Sequence, residues 1–487
     1  MDTRVDDFIR AGSLDELKAA GHLLVRGRHR PVLVVWDAAA GAARALDNRC
    51  PHMGFPLHRG SVEDGILTCH WHHARFELAS GCTFDLWADD VPICPVEIRD
   101  GDIWVKPVFD RPDPAGYWRG RLEAGMAHNL GLVVAKAVNG LAAAGAAPVE
   151  IVRAAALYGT RHRDGWDTGM TILTALGALI PHVAPDDTAI ALFQGARRVA
   201  ADCAGAPPYV ARAPLDDSTP DLATLTRWLR RWTEVRHRDG AERTVLTAIA
   251  AGATPPALAA MLFAAETDRV FADGGHSLDF VNKAFECLDQ IGWDHAATIL
   301  PTVVGQMVAA RGAHEETEWR QPADLIELVY GAADDLPARD AAGAGNRSQG
   351  GPWDGHAALA DAILGDDPEA IVAAIDEAIG AGAAPADLGR ALAYAAALRV
   401  ARFGTANEHG DWETAHHAFT YCNAVHRALV RIDGEPIGDN AEASPEAVRA
   451  VYHGAMAVYL ARFLNVPPAH LPGETAGDLD DLPDDPD

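Results

Sequence analysis

Between Cys50 and Phe76 the chain reads CPHMGFPLHRGSVEDGILTCHWHHARF, and this stretch restricts the fold more than any other. Cys50-x-His52 is followed, after sixteen residues, by Cys69-x-x-His72. Two short loops therefore each bring one thiol and one imidazole, in the same order. Soft and borderline ligands of this kind suit zinc or an iron–sulfur cluster. Zinc fingers with this ligand set keep the cysteines together and the histidines together, whereas here each loop mixes them. That order suits a two-iron cluster in which thiolates hold one iron and imidazoles the other.

The two loops, CPHMG and CHWHHARFELASG, closely resemble those of the Rieske [2Fe-2S] family, and the similarity spans roughly residues 5–108. The resemblance implies Cys50 and Cys69 on a buried iron, His52 and His72 on an outer one, and transfer of one electron at a time. It also implies a potential toward the lower end of the Rieske range. Phe55 and Trp71 stand where cytochrome bc-type members carry two extra cysteines, so the likeness is to the ferredoxin and oxygenase branch. His70 and His73 are read as supporting or surface groups, and Cys82 and Cys94 as core thiols.

The flanking segments HLLVRG, PVLVVWDA, GILTCHW, RFELAS and VEIRDGDIWVK alternate like short strands, separated by Gly, Asp and Asn turns. At 487 residues the chain calls for more than one domain. Residues 1–108 read as the all-β Rieske domain and 109–120, rich in proline and glycine, as a linker. Residues 121–472 read as a large all-α domain and 473–487 as an acidic disordered tail. The helical part repeats itself: 142–158, 250–265 and 379–396 each end a helix at Gly and open the next at Pro. RHRDG occurs at 161–165 and again at 236–240. The fold class expected is thus a β domain followed by helical-hairpin repeats sharing one core.

A net charge of −28 excludes a polyanion partner such as nucleic acid. Seven scattered cysteines, an acidic start and no apolar run of membrane length point to a cytoplasmic protein without a membrane segment. A homo-oligomer is compatible with all of this.

An electron carrier fused to a helical half needs an acceptor. Ring-hydroxylating catalytic domains set two histidines five or six residues apart after an Asp or Asn, and no histidine pair beyond the Rieske segment has that spacing. Metal-competent side chains nevertheless recur there: His128, His276, His416 and His417, with Asp279, Lys283, Glu413 and His453 as further candidates. Lys136 and Lys283 can also simply snorkel. The segments HNLGLVVAKAVNGL, HSLDFVNKAFECL and HHAFTYCNAVHRAL are similar to parts of the questin oxidase-like family, helical oxygenases acting on aromatic polyketides. That resemblance implies a mononuclear non-haem iron held by His128, His276 and His416 or His417, with Lys283 open to carboxylation. The expected function is an oxygenase fed by a reductase or ferredoxin, acting with O2 on a small organic substrate such as an aromatic one. The alternative is an electron-transfer or redox-sensing protein whose helical half is a metal-free docking scaffold. A di-iron site built on Glu413-x-x-His416 lacks the second Glu-x-x-His helix that such bundles require.

Overall fold

The computed structural model describes residues 7–27, 30–109, 111–215, 220–349, 353–432, 445–466 and 469. The acidic segment 473–487 lies outside them.

Nine strands form three antiparallel sheets: β1 (Ile9–Ser13) with β9 (Asp102–Val105) and β8 (Val96–Arg99); β2 (His22–Arg26) with β3 (Pro31–Asp37) and β4 (Ala42–Asp47); and β5 (Ser61–Glu63) with β6 (Ile66–Thr68) and β7 (Arg75–Glu77). Asp64 and Gly65, both at positive φ, close the β5–β6 hairpin as a two-residue turn whose twist matches the strands. Strand β3 departs from simple alternation, because Val32 to Val35 are all buried. The cause is two small cores, one on each face. Leu33 and Val35 pack with Leu46, Leu67, Phe76 and the two motif cysteines, while Val32 and Val34 pack with Leu17, Ile103 and Val105.

Helices fill the rest. Residues 109–120 are not a linker throughout: α2 (Pro114–Ala127) begins inside them, after α1 (Leu14–Ala20) in the β domain. Asp113 accepts a hydrogen bond from the Gly116 amide at 2.8 Å and Pro114 sits at the first helical position, a complete start signal that the nearby breakers obscure. A third helix, α3 (Gly131–Ala143), follows. The three repeats close alike. Ala146, Ala253 and Ala383 donate to the carbonyls of Leu141, Ala248 and Ala378 at 2.9–3.0 Å, and a proline opens the next helix. His237 caps the helix Arg238–Ala250 through its Nδ1, and Arg238 of the second RHRDG grips Asp164 of the first.

Two compact units result: the chain up to Tyr158 with Leu176–Gly205, and Gly159–Ala175 with the residues from Ala206 onward. The first unit is therefore not the β domain alone, since α2 and α3 belong to it. Among the described residues no helix is long and apolar enough to cross a membrane.

Candidate functional site

The two motif loops have one conformation. In the first, after β4, the Cys50 amide donates to the Phe55 carbonyl at 2.8 Å and the Gly54 amide to the Cys50 carbonyl at 2.7 Å. In the second, between β6 and β7, Cys69 donates to Ala74 at 2.8 Å and His73 to Cys69 at 2.9 Å. His73 takes the left-handed backbone (φ 63°) that Gly54 takes in the first loop (φ 83°). The loops thus turn the same way and present their side chains to one place.

The four side chains divide into two pairs. Cys50 and Cys69 are buried beside each other in the β core, and the His52 and His72 Nδ1 atoms face one another at 3.2 Å nearer the surface. Burial pushes the Cys50 thiol up to about 11, opposed by the His52 and Met53 amides that donate to its sulfur. A thiolate there needs a metal's positive charge. His52 is held below the usual imidazole range, first by burial and then by the charges of His72 and Lys136. Buried thiols, outer imidazoles and facing Nδ1 atoms fit a two-iron cluster. Phe55 and Trp71 meet across the loops at 5.8 Å between ring centres, and His70 turns away to Ser61 at 3.0 Å.

The family comparison agrees with this geometry. Residues 7–90 match the Rieske [2Fe-2S] domain family, and this segment is a Rieske [2Fe-2S] domain. The oxygenase subunit of 3-chlorobenzoate-3,4-dioxygenase from Comamonas testosteroni is 33% identical over 110 residues, 20% of this chain and 25% of that protein. The vanillate O-demethylase oxygenase subunit from Pseudomonas sp. is 35% identical over 81 residues, 15% of this chain and 24% of that protein. The chain thus spans about a quarter of the length of these curated relatives. Among solved structures, the ferredoxin of carbazole 1,9a-dioxygenase from Nocardioides aromaticivorans IC177 is 25% identical, over 21% of this chain and 98% of that one, with a TM-score of 0.20.

The remaining histidines part company. His128 is exposed at the C-terminal end of α2, in the first compact unit, and α3 opens at Gly131 instead. His276 and His417 lie in the second unit with ring centres 4.2 Å apart. His276 opens the helix His276–Ile291, and His417 comes from the helix His409–Ile432. His416, one residue round that helix, is exposed and packs on Trp412, and Glu413 is exposed beside His409 at 3.7 Å. Lys283 pairs with Glu286 at 2.7 Å. His453 is buried against the Tyr421 hydroxyl at 3.4 Å, and burial lowers it to about 3, a core histidine held neutral. Asp279 is buried, with Oδ1 unpartnered, and burial raises it to about 6. It is one turn from His276 on the same helix. For a mononuclear iron the described residues therefore assemble two imidazoles and no complete ligand set.

His417 also lines a cavity of about 460 Å³ with Phe271, Trp319, Pro322 and Phe463. The loop before His276 shapes its edge. Gly275 has φ 89°, and a Cβ there would meet the Phe271 ring at 2.9 Å and Tyr421 Cβ at 3.1 Å. We expect Gly275→Ala to cost about 2 kcal/mol or more, read as a lower unfolding midpoint in urea, because strain and collision add. The aromatic lining is invisible in sequence: Phe271, Trp319 and Phe463 come from three distant segments without a shared motif.

Proposed function

We propose that the chain is a Rieske-type oxygenase in which Cys50, Cys69, His52 and His72 hold the [2Fe-2S] cluster and the helical cavity takes the organic substrate. The observation that carries this reading is the His276–His417 pair, 4.2 Å apart, with His417 in the wall of an aromatic-lined cavity of a chain that also carries an electron-transfer domain. The cluster supplies single electrons, drawn from a reductase or ferredoxin, and a non-haem iron held by His276 and His417 would supply the oxygen chemistry.

The protein's own groups do the rest. Phe271, Trp319 and Phe463 in the lining favour a flat apolar or aromatic guest. Burial, with His276 next to it, holds His417 below the usual imidazole range, so its nitrogen stays free of a proton at neutral pH. Lys283 is ion-paired with Glu286 on this reading.

The test is iron per chain after anaerobic loading, with the Rieske spectrum confirmed intact. About three irons in the wild type and about two in His276→Ala support the oxygenase. Two in both proteins would sink it and favour the electron-transfer scaffold.

A further inference from the structure

The second residue group at the cluster comes from outside the ligand loops. Lys136, on α3, donates through Nζ to the carbonyl of Pro51 and to that of His52 at 2.6 Å. It does not snorkel into solvent. Asp89, only 6% exposed, holds it at 3.4 Å and is itself held by Arg121 of α2 at 2.8 Å. Arg121 also donates to the carbonyls of Leu86 and Ala88, which bracket Trp87, and Trp87 packs edge-on against His52 at 4.7 Å.

The two carbonyls that Lys136 grips matter because of what lies at the other end of each peptide unit. The Pro51 carbonyl belongs to the peptide whose N–H is that of His52, and the His52 carbonyl to the peptide whose N–H is that of Met53. Those are the two amides that donate to the Cys50 sulfur. In a planar trans peptide the C=O and N–H point in opposite directions, so a cation fixed on the oxygens aims the hydrogens at the sulfur. It also polarises them, which strengthens both N–H···S bonds.

We propose that Lys136 is a positioning residue that raises the reduction potential of the cluster. Reduction adds one negative charge to the cluster. A fixed ammonium nearby stabilises that added charge, and so do firm N–H···S bonds, since both charge and hydrogen bonding to sulfur tune such potentials. Asp89 works the other way: it anchors Lys136 but offsets part of its field. The inference rests on the Rieske domain alone and not on the oxygenase reading.

The test is a potentiometric titration of the full-length, cluster-loaded protein, followed by visible circular dichroism. At the wild-type midpoint, Lys136→Met should lower the ratio of reduced to oxidised cluster by about tenfold, equivalent to ~59 mV for a one-electron couple. Lys136→Arg, which keeps the charge and donors, should recover most of that ratio. An intact cluster with an unchanged midpoint in Lys136→Met overturns the proposal, as does an equal fall in Lys136→Met and Lys136→Arg. If Lys136→Met fails to load the cluster, Asp89→Asn decides. Loss of the counter-charge should raise its midpoint, and an unchanged or lower value overturns the proposal.

Discussion

Cys69→Ser should yield protein without acid-labile sulfide, without visible Rieske absorption and with two fewer irons per chain than the wild type. The expectation follows from where the thiol sits. Cys69 is 1% exposed, with Cys50 beside it and the β core around both. A serine hydroxyl is a poor substitute for a soft thiolate toward iron, and its far higher pKa leaves it protonated. Its smaller oxygen also leaves a gap next to Leu67 and Phe76 in a packed core. The loop would survive, because its turn is held by backbone bonds from Cys69 to Ala74 and from His73 to Cys69, which serine keeps. Folded, colourless protein is therefore the expected product. Retention of sulfide and of the absorption spectrum would refute the ligand assignment.

Glu266→Gln should change how stability depends on pH. Glu266 ends the helix Pro255–Glu266 and is fully enclosed; burial raises it to about 7, with Asp273 and Asp268 pushing the same way and the Arg269 charge opposing. An unfolded chain releases this proton near pH 4.5, whereas the folded protein keeps it until about pH 7. Below the lower value both states are protonated and the group is neutral in the balance. Between the two values unfolding releases a proton, so stability falls as pH rises. The full loss by about pH 8 is ~3 kcal/mol, from 1.36 kcal/mol per pH unit. Glutamine does not titrate. Urea midpoints measured from pH 5 to 8 should therefore fall more steeply for wild type than for Glu266→Gln. Parallel profiles would show that the carboxyl titrates normally in the fold.

Much of this protein is legible in its residue order. A pair of loops that mix cysteine and histidine has few chemical uses, so the motif at 50–72 carries the Rieske domain by itself, and alternating segments carry its strands. Gly–x–x–Pro punctuation carries the helical hairpins, because a Schellman closure followed by proline is a local device that needs no tertiary partner. The histidines of the helical half are another matter. His128, His276, His416, His417 and His453 look alike in sequence, each next to an apolar helix. Only packing separates an exposed helix-end residue, a facing pair at 4.2 Å, a residue turned to Trp412 and a core imidazole beside Tyr421.

What the sequence determined by itself is local: ligand types and their spacing, strand alternation, helix starts and stops, and the change of texture between the two halves. These depend on interactions within a few residues, and the residue types alone set them. Tertiary structure alone decided which distant groups meet. It placed α2 and α3 with the β domain, brought Lys136 to loop carbonyls more than eighty residues away, and buried Asp89 between two cations. Such contacts are chosen by how whole elements pack, and a long side chain such as lysine can end in water or on a carbonyl from the same helix position. Its sequence neighbourhood is identical in both cases, so the destination is decided by packing.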